Sequence, residues 1–334
     1  MSSVIDVHTH MLGQEWLEML KEHGGPRYTV KAVAEFPAVI HLDGAGFMTP
    51  LNEMFDYDLR VKNMSKAKVD MAIVSLTCPN VFWGDGQISL KAAKVMNDDM
   101  TRGQSAYPDR IRWFASLPWQ YPELAVPELH RAVKAGAVGV MVLANIAGCS
   151  LTDPAFASVW KAIDDLALPV LVHPTAPPGI REMDMATHQL VPPIGFMFDT
   201  TLAIARCIHD GFLDRYTNLK LIASHGGGAL PFLIGRMDRC FENISMCNAH
   251  VEKTCGYKEP PSNYMRRIYV DSVVYRQDAL QMAIDVCGPD NVLYGSDYPH
   301  NIGDMAGCLG RVNALAGCTR HQVRGNNAER IFKL

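Results

Sequence analysis

Three observations predict an α/β chain folded as a distorted (β/α)8, or TIM, barrel. Eight short apolar runs recur along the sequence, each followed by a helical pattern. Continuous rather than alternating apolar runs mark strands covered on both faces, as in a parallel sheet flanked by helices. Side chains able to bind a metal stand at the carboxyl ends of several runs, where a barrel gathers its active site. The rival open, doubly wound sheet is weakened because no Gly-x-Gly-x-x-Gly turn follows an early strand.

The first run, residues 4–10, puts His8 and His10 on one face, because strand side chains alternate in direction. Residues 11–56 then read as an insertion over one barrel mouth, since unstructured loops of that length are uncommon. Within it, 28–40 is the candidate hairpin or cap. A helix is expected at 58–68 with Leu59, Met64 and Ala67 inward. Strands at 71–76, 111–117, 138–143, 169–173, 219–225, 268–272 and 292–296 follow, alternating with helices at 90–107, 122–135, 153–166, 200–212, 230–243 and 278–287. Pro118 breaks the third strand, Gly136 ends the helix after it, and Thr152 or Asp153 caps the helix at 153–166. The whole of 1–334 is read as a single barrel domain.

Composition narrows the function. Of 334 residues, 48% are hydrophobic and 20% charged, with a formal net charge of −4. Lys and Arg are scattered, with Arg266-Arg267 the densest pair, so no nucleic-acid partner is expected. No apolar run reaches the length of a membrane span, and no basic segment precedes an apolar one at the N-terminus, so a cytoplasmic protein without a membrane partner is expected. The 9 cysteines are odd in number and include no Cys-x-x-Cys pair, which reads as buried or free thiols. Cys240, Cys247 and Cys255, with His250 nearby, complete no usual metal spacing.

The strand ends carry the chemistry. The first strand ends in His8 and His10, the fifth in His173, the sixth in His225, and the eighth runs into Asp297. A divalent metal catalyst wants three or four N/O ligands and an open position. His8, His10, His173 and Asp297 supply three imidazoles and a carboxylate, leaving His225 as an acid/base or a fifth ligand. Asp297, before Tyr298-Pro299, is also a turn signal. Gly226-Gly227-Gly228 permits a sharp turn whose N–H groups would suit an anion.

Taken together, several motifs resemble the amidohydrolase superfamily, and within it the aminocarboxymuconate-semialdehyde decarboxylase family. They are His8-Thr9-His10 after Ile5-Asp6, His173-Pro174, His225-Gly226-Gly227-Gly228 with Pro231 and Gly235-Arg236, Gly295-Ser296-Asp297-Tyr298-Pro299, and the ending at 325–332. The resemblance covers 4–334. It implies a metal-dependent, non-oxidative decarboxylase, a carbon–carbon lyase acting on a small aromatic or conjugated carboxylic acid. It implies His8, His10, His173 and Asp297 as metal ligands, zinc as the metal with manganese the alternative, and His225 as acid/base assisted by Asp297. Arg236 would reach a neighbouring subunit's site, which implies a homodimer or higher homo-oligomer. The chain departs from the family's naming enzyme at Thr175-Ala176, where that enzyme carries Trp, at Met48, where it carries Arg, and at His300, where it carries Phe. These departures fall on substrate contacts, with Phe47, Phe82, Trp83 and Phe196 offered as an apolar wall and Phe47, Trp83, His300 and Arg236 as the expected substrate-binding residues. A metal-dependent hydrolase of a lactone or amide, or a hydratase, is the alternative, because the same kind of site can attack a carbonyl carbon.

Overall fold

The computed structural model describes residues 2–185, 187–243 and 256–334, so Cys247, His250 and Cys255 lie outside the described residues. The described strands run in order β1 (Ile5–Met11), β2 (Tyr28–Val33), β3 (Phe36–Leu42), β4 (Ala45–Met48), β5 (Met71–Leu76), β6 (Ile111–Ala115), β7 (Gly139–Leu143), β8 (Asn145–Ile146), β9 (Cys149–Ser150), β10 (Pro169–His173), β11 (Lys220–Ala223), β12 (Tyr269–Asp271) and β13 (Val292–Leu293). Eight of them form one parallel sheet in the order β1-β5-β6-β7-β10-β11-β12-β13. The chain after β13 then bonds back to β1. Val7 N–H donates to Tyr294 O at 3.0 Å, Asp297 N–H to His8 O at 2.8 Å and His10 N–H to Tyr298 O at 2.8 Å. That seam brings the ends of the sheet together as a distorted barrel.

The apolar runs form these strands because every residue of β1, β7 and β10 is buried, one face against the barrel interior and the other against helices. The outer layer follows the helical pattern. Helix Gly86–Ala106 buries Ala92, Ala93, Met96 and Met100, and Asp85 caps it by accepting from the N–H groups of Gln87 and Ile88. Helix Tyr57–Ala67, capped by Asp56, buries Met64 together with Arg60, while Leu59 and Ala67 are only half-buried. In the insertion, β2, β3 and β4 form a three-stranded antiparallel sheet, longer than a hairpin at 28–40, which buries Ile40, Leu42 and Met48.

Two strands stop earlier than their apolar runs. β11 ends at Ala223, because His225 sits at φ 54°, where no extended strand can continue, and β13 ends at Leu293, four residues before Asp297 at φ 59°. One helical stretch, Val191–His209, is long and apolar enough by length and composition to cross a membrane, against the expectation that no run would be. It packs along the barrel with 44% of it buried inside the fold.

Candidate metal centre

Three histidines and one aspartate converge at the carboxyl-end mouth. The nearest ligand-type atoms of His8, His10, His173 and Asp297 all lie within 4.8 Å of one another, and all four residues are buried. Atoms bound about 2.0–2.2 Å from one cation stand roughly 3–4 Å apart, so the spacing suits a single divalent ion. His10 Nε2 is 3.2 Å and His8 Nε2 3.4 Å from the same oxygen, Asp297 Oδ1.

The outer partners of the imidazoles fix which nitrogen faces inward. His8 Nδ1 is 2.6 Å from Asp271 Oδ2, and His173 Nδ1 is 2.8 Å from the Pro174 carbonyl. A carboxylate and a carbonyl only accept, so both Nδ1 atoms carry the proton and donate. Each ring is thereby left with Nε2 towards the centre, and both Nε2 atoms are buried with no hydrogen-bond partner among the described residues. His10 Nδ1 faces Ser75 Oγ at 3.1 Å in the same outward sense. Buried polar atoms are rarely left unpaired, and two such atoms aimed at one point with a carboxylate fit a cation better than any hydrogen bond the protein offers.

The charges agree. Burial would raise Asp297, yet the imidazoles of His10, His225 and His8 gathered around it hold its carboxyl well below the usual carboxylate range. Burial pulls His10 down to about 3 and holds His173 well below its ordinary value. Burial would lower His8 too, but Asp271 and Asp297 lift it to about 10. A bound cation takes the place of that second proton, since a ligating imidazole is neutral.

His225 stands beside this set. Its Nε2 is 3.5 Å from Asp297 Oδ2, while its Nδ1 is buried without a partner among the described residues. The glycines after it are required sterically. A Cβ on Gly226 would lie 2.6 Å from Val274 Cγ1, and one on Gly228 2.5 Å from Met197 O. The N–H groups of His225 and Gly226 both donate to Asp271, at 3.0 Å each, so those two are spent on the scaffold and not free for an anion.

Above the centre opens a cavity of about 940 Å³. His173, His225, Asp297 and His300 lie at its floor, and Phe47, Met48 and Phe196 are in its walls. His300 Nε2 is 2.9 Å from Thr77 Oγ1, and its ring centroid is 4.9 Å from that of His10. Trp83 does not line this cavity. It is buried with Nε1–H donating to Asn80 O at 2.9 Å and its ring against Trp16, because an indole in the core must satisfy its one donor. Phe82 is likewise buried away from it. Arg236 is exposed on helix Leu230–Glu242 and does not line the cavity of its own chain.

Three supporting residues escaped the sequence reading. Asp271, at the end of β12, holds His8 and the turn at His225, and the strand-end rule that found the histidines applies to it equally. Arg60 is fully buried, donating to Thr9 Oγ1 at 2.6 Å and to the His10 carbonyl, with its guanidinium 4.9 Å from the Tyr298 ring centroid. It ties β1 to the segment that carries Asp297. Asp199 accepts from Thr175 N–H at 2.9 Å and from Asn145, pinning the chain just beyond His173. Neither Arg60 nor Asp199 stands in a motif, and no sequence signal marks them.

Barrel, strand-end ligand set and glycine turn define a barrel with a buried site for one divalent cation at its mouth. Residues 5–334 match the amidohydrolase family, and the chain belongs to it. Among its relatives is the 2-amino-3-carboxymuconate-6-semialdehyde decarboxylase of Dictyostelium discoideum, 29% identical over 332 residues that cover 97% of this chain and 90% of that protein. Two solved structures share the fold. One is a dihydroxybenzoic acid decarboxylase from a Polaromonas species with bound manganese and the inhibitor 2-nitroresorcinol, at TM-score 0.81 and 24% identity over 100% of this chain and 98% of that one. The other is a 5-carboxyvanillate decarboxylase from Novosphingobium aromaticivorans with manganese and 4-hydroxy-3-methoxy-5-nitrobenzoic acid, at TM-score 0.86 and 23% identity over 100% and 96%. The expectation of zinc is corrected by these neighbours, both of which hold manganese. The donor set allows the correction: it holds no thiolate that would select zinc, and its carboxylate is a donor type that manganese takes.

Proposed function

We propose that this chain is a manganese-dependent, non-oxidative decarboxylase of an aromatic carboxylic acid, with His8, His10, His173 and Asp297 holding the metal. The observation that carries the reading is the pair of partnerless Nε2 atoms of His8 and His173, aimed with Asp297 at one buried point beneath a cavity that also exposes His225. The family membership and the decarboxylases among the relatives support it.

When bound, the cation would anchor the acid's oxygens and draw charge from the ring. The protein's own groups do the rest. Phe47 and Phe196 offer flat apolar faces to a ring, and His300, fixed by Thr77, offers a polar edge beside the floor. His225 holds a proton at Nε2, shared with Asp297 Oδ2. It delivers that proton to the ring carbon bearing the carboxylate. The bond from that carbon to the carboxylate then breaks, its electron pair returns to the ring, and CO2 leaves. Proton and electrons balance with no oxidant. The test is CO2 release from a panel of hydroxybenzoic and muconate-type acids by manganese-loaded protein, lost on chelation and restored by Mn²⁺. Turnover of lactones with no CO2 from any acid replaces the reading with a hydrolase.

The same proposal includes a second copy of the chain. Phe232 is 78% exposed, and Arg236, one turn on, shares its helix face. Phe198 and Leu202 expose a similar stripe on helix Phe196–His209. A homodimer is the assembly that would cover these faces and Arg236 with them. Sedimentation at micromolar concentration should give a dimer, and a monomer at full activity counts against it.

A further inference from the structure

A cavity of about 940 Å³ lies at the upper end of the roughly 300–1,000 Å³ typical of sites for drug-sized ligands. A bare benzoate with its carboxylate at the metal centre fills only the floor. Above the floor, beside the polar Gln189 and Asn301, most of the wall is apolar: Phe47 and Met48 from β4, Ile180, Met185 and Val191 from the segment after β10, and Phe196 at the start of the next helix. The rings of Phe47 and Phe196 meet edge to face with centroids 6.4 Å apart, which closes one side of this upper chamber.

Charge appears again at the mouth, with the wrong sign for a second carboxylate. Arg181 is, among the described residues, the one Lys or Arg that lines the cavity. It is 74% exposed, and its guanidinium is 3.5 Å from Asp43. Asp184 lines the same rim, so two carboxylates face one guanidinium. A second carboxylate on the substrate, remote from the metal, would meet no free cation there and would lie near Asp43 and Asp184.

We propose that the substrate is a bulky monocarboxylic aromatic acid whose ring carries an uncharged apolar substituent of several carbons, held in the chamber lined by Phe47, Met48, Ile180, Met185, Val191 and Phe196. This rests on the decarboxylase reading above. The carboxylate lost as CO2 sits at the floor, and the substituent passes through the reaction unchanged. The chamber selects for it by apolar burial, and the rim selects against dicarboxylates.

The test uses the full chain loaded with Mn²⁺ and a series of hydroxybenzoic acids: unsubstituted, carrying linear alkyl chains of increasing length, and carrying the longest chain with a terminal carboxylate. CO2 release and equilibrium binding by calorimetry are measured on each. The expected result is a rise in kcat/KM, and in affinity, of about fourfold per added methylene until the chamber is filled, with the gain lost when the chain ends in a carboxylate. Flat or falling kcat/KM and affinity along the series overturn the proposal, as does equal acceptance of the terminal carboxylate. Affinity that rises with chain length without CO2 release from any acid keeps the ligand class and overturns the decarboxylase reading, so the two fail separately.

Discussion

His225 and Asp297 differ from the other site residues in their backbones. Both take left-handed φ, 54° and 59°, which costs a non-glycine residue on the order of 1 kcal/mol or more and persists where the surroundings enforce it. Asp271 supplies part of that enforcement by accepting the His225 and Gly226 N–H groups. The histidine contacts the Asp297 carboxylate without belonging to the tight cluster of His8, His10, His173 and Asp297. His225→Asn is therefore expected to keep stoichiometric manganese, by elemental analysis, while CO2 release falls at least about 100-fold. Loss of the metal would make His225 a ligand instead. Asp271→Asn places an amide where one carboxylate serves His8 and three backbone donors, those of His225, Gly226 and Val273. Its manganese affinity should fall about 10–100-fold in a chelator competition, as for other residues that orient a ligand from behind. Unchanged affinity would mean the His8 tautomer is set without Asp271.

At the scale of elements, the turn from β11 into the helix Leu230–Glu242 decides where His225 stands. Gly228 has φ 63°, and a Cβ there would lie 2.5 Å from Met197 O and 2.6 Å from Thr201 Oγ1, both on the neighbouring helix Phe196–His209. Gly228→Ala should cost about 2–3 kcal/mol in urea unfolding through strain and clash together. A cost under half of that would show that the turn relaxes. The glycine run was legible in the sequence as a turn, because three glycines in a row permit little else. Its reading as an anion nest was not borne out for His225 and Gly226, whose donors the distant Asp271 takes up. Strand 169–173 was read to the residue, because Pro169 and His173-Pro174 bound it on both sides.

For the whole molecule, burying polar groups behind the site makes stability depend on pH. Burial pushes the Asp199 carboxyl up to about 6, against hydrogen bonds from Thr175 and Asn145. Its folded value therefore exceeds its unfolded value of about 3.9. The folded state binds the extra proton between those values, so the contribution is fully present below about pH 4 and lost as pH rises through about 6. The swing is on the order of 2–3 kcal/mol for two pH units. Asp199→Asn keeps an acceptor for Thr175 N–H but removes the titration. Relative to that variant, wild type should lose stability between pH 4 and pH 7 when unfolding midpoints are compared, and parallel shifts of the two proteins would refute the assignment.

The sequence by itself determined the barrel, the order of its strands and the residues at their carboxyl ends. Those follow from local rules: buried parallel strands are apolar throughout, and a barrel sends every strand end to the same mouth. That logic reached His8, His10, His173, His225 and Asp297 without a structure, and it extends to Asp271. Only the tertiary structure decided what each of these side chains is held by. Arg60 reads as an ordinary helix cation until the fold buries it against β1 and Tyr298. Trp83 reads as a wall of the cavity until its indole is seen turned into the core. The apolar upper chamber exists only where β4, the segment after β10 and the helix Phe196–His209 meet. Hydrogen-bond partners and cavity walls come from residues far apart in the chain, and their meeting is fixed by packing rather than by any local pattern.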